Sequence, residues 1–266
     1  MASIRRSLAV VAALALAACE AGGAAPRPAG PSPLAQWGVV VVGGDATTSD
    51  GAPTPIFDNA RRDVAAALLG VGFSGPNLAQ LSVNLNNEPG VAETTPQAFT
   101  AMAQQATGRA TGCLFYFTSH GTPRGMTFGR YAQLDPQTLG GLVNRWCGDR
   151  PTVVIVSACF SGVFVPALAG PNRMVMTAAR GDRSSFGCGG TDRYPYFDEC
   201  VLTSLPGSRD LLYLADNVRA CVTRREQQTG STPPSEPQVL IGDQIRPILA
   251  GLPFVDGSAA AQPTPM

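Results

Sequence analysis

A histidine and a cysteine stand at the ends of two apolar runs of the same design. Cys113-Leu-Phe-Tyr-Phe-Thr-Ser119 leads into His120-Gly121, and Thr152-Val-Val-Ile-Val-Ser157 leads into Ala158-Cys159-Phe160-Ser161-Gly162. A thiolate is a strong nucleophile. An imidazole beside it favours that form and later returns a proton to a leaving amine. His120 is the single histidine of the chain, so Cys159 and His120 are the candidate nucleophile and acid/base of an acyl-transfer reaction. Glycine behind each reactive residue lets substrate backbone approach closely. The amides of Gly121 and Cys159 are candidates for an oxyanion hole, in which one donor contributes on the order of 3 kcal/mol. Taken apart, a His-Gly and an Ala-Cys favour a hydrogen-bonded core histidine and an inert buried cysteine. Both at strand ends, in this order, favour an enzyme.

The elements that must position the pair follow from the pattern. Runs of this length and β-branched or aromatic content predict buried central strands. In an open parallel sheet, reactive groups collect at the carboxyl ends of the strands. Further strands are expected at Trp37–Val42, Leu78–Leu85, Arg173–Ala178 and Val239–Ile241. Helices are expected at Phe57–Leu69, from Thr95-Pro96 to Thr107, and from Asp135-Pro136 to Cys147. Tyr196 to Arg225 is expected to be helical with a break at Pro206-Gly207, and the glycine-punctuated stretch up to Tyr131 to form a small hairpin. The alternation implies an α/β fold with a mainly parallel sheet of about six strands, covered on both faces.

The N-terminus reads as a targeting segment. Arg5-Arg6 precede an apolar run from Leu8 to Ala18, and Leu16-Ala-Ala-Cys19 closes it. Residues 1–19 are thus expected to be a signal peptide. Residues 20–35, mostly Ala, Gly and Pro, are expected to be a flexible tether. One folded domain is expected over 36–245, and a disordered tail over 246–266. The formal charge is zero, the chain has no lysine, and it carries no basic patch or aromatic-basic stripe. Nucleic acid is therefore not an expected partner. No ligand cluster surrounds the single histidine, so no metal or cofactor is expected. Of the seven cysteines, Cys188, Cys200, Cys147 and Cys221 lie in loop-like or helix-end contexts, and Cys113 is the expected unpaired companion of Cys159.

Five co-linear segments carry a family resemblance. Phe115-Tyr-Phe-Thr-Ser-His-Gly121 and Val154-Ile-Val-Ser-Ala-Cys-Phe-Ser-Gly162 resemble the legumain family of cysteine peptidases, within the caspase-like group. There one hydrophobic strand typically runs into Asp-His-Gly and another into Glu-Ala-Cys-Glu-Ser-Gly. Asn59-Ala-Arg-Arg62 is similar to that family's Asn-Tyr-Arg-His, and Val91 to Phe99 to its Val-Thr-Pro-Gln-Asn-Phe segment. Thr177-Ala-Ala-Arg-Gly-Asp-Arg-Ser-Ser-Phe-Gly-Cys188 resembles Thr-Ala-Ala-Asn-Pro-Arg-Glu-Ser-Ser-Tyr-Ala-Cys. The four residues ending in Cys19 resemble a bacterial lipobox, which implies a lipid anchor in the cell envelope, at the outer membrane and facing the periplasm.

The legumain resemblance implies a caspase-like three-layer sandwich and a cysteine endopeptidase acting on peptides or proteins. It implies Cys159 as nucleophile, His120 as acid/base and Asn59 as the residue that orients His120. Arg61, Ser157 and Asp198 are then expected in the pocket for the residue before the scissile bond, with Ser184 and Ser185 along the substrate channel. Arg61 would donate to a substrate amide oxygen and Asp198 would accept from its NH₂. Ser157, Arg62 and Phe160 depart from the family's Glu, His and Glu. The expected selectivity therefore widens from asparagine to aspartate or another small polar residue. A transpeptidase on the same Cys-His pair, and an inactive lipid-anchored binding protein, are the alternatives. Only about two dozen residues, many of them Ala, Pro and Gly, follow Gly242, so inhibition by a long helical prodomain like that of eukaryotic relatives is not expected.

Overall fold

The computed structural model describes residues 32–84, 88–189 and 192–255. Its centre is a set of strands in which every residue is buried: β1 (Trp37–Gly43), β4 (Gly112–Thr118) and β8 (Thr152–Ser157). Strands covered on both faces cannot alternate apolar with polar, and these read as near-continuous Val, Ile and Phe. They pair in parallel, β1 with β4 and β4 with β8. Around them the sheet continues with β2 (Leu78–Ser82) and β3 (Val91–Glu93) on one side, and with β9 (Arg173–Thr177) and β10 (Gln238–Ile241) on the other. The order is β10-β9-β8-β4-β1-β2-β3, and β10 alone runs antiparallel. Seven strands stand where about six were expected. The added one, β3, has three residues and is too short to show a period.

Helices cover both faces. Leu114 and Tyr116 of β4 point into a core shared with α1 (Ile56–Gly70), α5 (Tyr196–Ser204) and α6 (Leu211–Thr229). Cys113, Phe115 and Phe117 point into the opposite core, with α2 (Pro96–Thr107), α3 (Pro136–Cys147) and the short α4 (Val165–Leu168). Thr95 and Asp135 cap α2 and α3, each followed by proline at the first helical position, as the sequence predicts. Directly after His120 the chain forms a small antiparallel sheet of β5 (Gly121–Thr122), β6 (Gly125–Phe128) and β7 (Ala132–Leu134), one strand more than the expected hairpin.

Three expectations are corrected. The fold begins before residue 36: a 3₁₀ turn over Pro33–Gln36 buries Leu34 completely against the α1 side of the core. The segment after 245 is not wholly disordered either, because α7 (Ile245–Ala250) buries Ile245 and Leu249, and Phe254 packs after it. Its Ala-, Pro- and Gly-rich flank hid that i, i+4 pair. Lastly, Cys113 is not the unpaired thiol. It is bonded to Cys147 at the end of α3, and Cys200 of α5 is bonded to Cys221 of α6. The free thiols among the described residues are Cys159 and Cys188. The expected signal peptide with Cys19, the tether up to residue 31 and the last eleven residues lie outside the described residues. No described helix is long and apolar enough to cross a membrane.

Candidate active site

Register places the pair. Thr118 of β4 lies opposite Ser157 of β8, and His120 and Cys159 each follow two residues later. The Ser119 amide donates to the Ser157 carbonyl at 3.0 Å, which extends the ladder one step beyond the strands. Both chains then turn. Phe160 takes a left-handed conformation with φ of 57°, unusual for a bulky residue, and its amide is held by the Arg183 carbonyl at 2.8 Å. Both Cys159 and His120 remain half-buried.

The two loops touch through Gly121. A Cβ at this position would lie 2.0 Å from the Cys159 carbonyl oxygen. The room that the sequence reserved for substrate backbone is therefore filled by the chain itself. Gly121 is required for the histidine loop and the cysteine loop to meet.

His120 Nε2 lies 2.9 Å from the Thr47 carbonyl. A carbonyl only accepts, so this contact assigns the proton to Nε2 and leaves the Nδ1 lone pair free in the neutral ring. The ring stands edge-on to Phe57, with centroids 4.9 Å apart. Thr47 belongs to the loop after β1, which is knitted by its own hydrogen bonds. Asp45 Oδ1 accepts from the Ala46 amide at 2.7 Å, the Thr47 amide at 3.0 Å and the Thr47 hydroxyl at 2.9 Å. The Thr54 amide donates back to the Ala46 carbonyl at 2.9 Å. Asn59, expected to orient His120, is engaged elsewhere. Its Nδ2 donates to the Arg193 carbonyl at 3.3 Å and its Oδ1 accepts from Arg62 at 3.0 Å. Phe57, two residues earlier on α1, is the helix residue against the imidazole.

The Cys159 sulfur is cradled by the loop after β9. The Ser185 amide donates to it at 3.2 Å, and the Ser185 hydroxyl lies 3.4 Å away. Ser184, next to it, is exposed. Cys188 of the same loop was missed as a site residue. Its thiol is pushed up by burial and by the charges of Cys159, Asp198 and Asp192 around it.

The other expected pocket residues are interior. Arg61 is 0% exposed. It donates to Asp58 at 3.0 and 2.8 Å, to Gln80 at 2.6 Å and to Glu88 at 2.6 Å. Asp198 is also 0% exposed and accepts from Tyr116 at 2.5 Å, Thr118 at 2.9 Å and Ser157 at 2.7 Å. Burial raises its carboxyl to about 6, against the opposing pull of those three hydroxyls. Burial and the facing Asp198 carboxylate push the Tyr116 phenol well above its ordinary value. Thus Ser157 is bonded to Asp198 itself, Arg61 is bonded to Asp58, Gln80 and Glu88, and none of the three presents a group to a substrate in this arrangement. Two of the three are α1 and α5 residues aimed at the sheet, where a helix packed on strands has no open face.

Residues 104–216 match the Peptidase C13 family. That span runs from within α2 into α6 and contains both strand ends, the Ser185 loop and Asp198. The matched span, a little under half of the chain, is similar to cysteine peptidases of the C13, or legumain, family. Asn59 and Arg61 precede the matched span. Among solved structures, the chain is similar to caspase-1 from Spodoptera frugiperda, with a TM-score of 0.56 and 14% identity. The likeness covers 82% of this chain and 92% of that one, and it identifies the fold as caspase-like. No curated protein matches the chain.

Proposed function

We propose that this peptidase cleaves peptide bonds through Cys159 and His120. The observation that carries the reading is the shared register: each residue follows its strand by the same two positions from the Thr118–Ser157 pair, and Gly121 packs on the Cys159 carbonyl. Nδ1 of His120 takes the thiol proton, and the sulfur attacks the carbonyl carbon of the scissile bond. The protonated imidazole then gives its proton to the departing amine, leaving a thioester on Cys159. Water, deprotonated by the same imidazole, hydrolyses the thioester and regenerates the thiol. The Thr47 carbonyl keeps the ring in the required tautomer throughout.

Selection before the scissile bond is assigned to the loop against Cys159, where Arg183 and the hydroxyls of Ser184 and Ser185 offer donors to a small amide or carboxylate side chain. Asparagine, aspartate or another small polar residue fits these donors. A lipid anchor at Cys19, in the envelope, is part of the proposal on the strength of the Leu16–Cys19 pattern. The test is turnover of a peptide library under reductant by the wild type, Cys159→Ala and His120→Ala. Cleavage lost in both variants supports the reading. Cleavage that persists in Cys159→Ala overturns it.

A further inference from the structure

A cleft of about 650 Å³ opens beside His120, between the loop after β1 and the β6–β7 turn. Ala46, Pro53, Pro55 and Val83 form an apolar wall beside the polar Asp45, Thr47, Thr54, Asn84 and Thr127, and Tyr131 and Arg130 line it as well. We propose that this cleft receives the leaving half of the peptide, the residues that follow the scissile bond, and that Tyr131 sets a preference there for an aromatic or large aliphatic side chain. The inference rests on the Cys159–His120 reading and extends it to the other side of the bond.

The sheet order supplies the first argument. Cys159 follows β8, His120 follows β4, and the cleft lies beyond the ends of β1 and β2. Along the rim the sequence is therefore sulfur, imidazole, cleft. The acyl half of the substrate stays bonded to sulfur. The amine leaves with the proton it receives from the imidazole, so the chain attached to that nitrogen must continue past His120, away from β8 and β9. The cleft is what it meets there.

The second argument is that the cleft and the imidazole share their supports. Thr47, whose carbonyl holds Nε2, lines the cleft, and so does Thr127, whose amide donates to the His120 carbonyl at 2.9 Å. A side chain seated in the cleft thus lies against the residues that fix the catalytic ring. The third argument is Tyr131 itself. It is 98% exposed, a large aromatic surface left in water beside the apolar wall of the cleft. A ring stacked on it buries apolar area on both partners and leaves the phenol hydroxyl wet. Arg130 beside it is only loosely paired, 3.9 Å from Glu93, and is free to meet a carbonyl or carboxylate further along the leaving peptide.

The test uses the intact enzyme and two peptides with the same acyl half, carrying Phe or Gly immediately after the scissile bond. Wild type is expected to prefer the Phe peptide by about tenfold or more in kcat/KM, and Tyr131→Ala to bring that ratio close to one. A wild-type ratio near one, or a ratio that survives in Tyr131→Ala, overturns the inference. Cleavage of the Gly peptide by wild type and not by Cys159→Ala reports on the dyad separately. Should wild type cleave neither peptide, calorimetric titration with the amine-terminated Phe product peptide decides. Binding weakened at least about fivefold in Tyr131→Ala supports the cleft, and equal or absent binding in the two proteins overturns it.

Discussion

At the scale of single residues, the site depends on groups that hold others in place. Gly121 has no room for a side chain, because any Cβ overlaps the Cys159 carbonyl. Gly121→Ala is expected to push the two loops apart and lower kcat/KM by about 100-fold, since misplacement of about 1 Å has that effect on a reacting pair. The overpacking itself should cost only about 1–3 kcal/mol of stability. Thermal unfolding and far-UV circular dichroism would show a folded protein, and steady-state kinetics the loss. Asp45 is the other such residue. Asp45→Ala removes three hydrogen bonds that present the Thr47 carbonyl to His120. Its kcat is expected to fall about tenfold, and Asp45→Asn, which keeps an acceptor oxygen, should recover most of the activity. The strand ends that carry Cys159 and His120 were legible in the sequence, but the packing role of Gly121 was not, because the sequence reserved that space for substrate. Thr47 was not, because it acts through its backbone carbonyl, which any residue carries. Asp45 left a weak signal: an aspartate just past a Gly-Gly strand end and two residues before a threonine is the pattern of an Asx turn.

At the scale of elements, α5 is fixed to the strand ends by a buried carboxylate. Asp198 reaches from the helix to Tyr116 and Thr118 of β4 and Ser157 of β8, two residues below the cysteine. Because its folded carboxyl is raised to about 6 from 3.8, the folded chain holds this proton more tightly than the unfolded chain. The resulting stabilisation is complete below pH of about 4 and is lost as pH rises through about 6. Asp198→Asn cannot titrate. Urea unfolding across this window is therefore expected to show wild type losing on the order of 3 kcal/mol relative to the variant, and parallel curves would contradict the assignment. The resemblance pointed to Asp198, Ser157 and Arg61 but assigned them to a substrate. A polar residue on the buried face of a helix or strand leaves the same trace in a sequence as one lining a pocket, and only the hydrogen-bond partners separate the two. Cys113 was misread for a related reason: position at the start of a strand does not reveal that the end of α3 returns to it.

At the scale of the whole molecule, the parallel three-layer architecture was visible early, because buried β-branched runs alternating with capped helices leave few other arrangements. The margins were less visible. Leu34 before the first strand is a single apolar contact, and Ile245 with Leu249 after the last is one i, i+4 pair, too short a period to stand out in Ala-, Pro- and Gly-rich surroundings. The fold brings two free thiols into one loop region, and the central claim is that only one of them is the nucleophile. The direct measurement is labelling with a peptidyl acyloxymethyl ketone bearing aspartate next to the warhead, followed by peptide mapping of the adduct in wild type and His120→Ala. The adduct is expected on Cys159 alone, forming at least about 100-fold more slowly without the imidazole. An adduct on Cys188, or labelling of Cys159 at an unchanged rate in His120→Ala, would contradict the account.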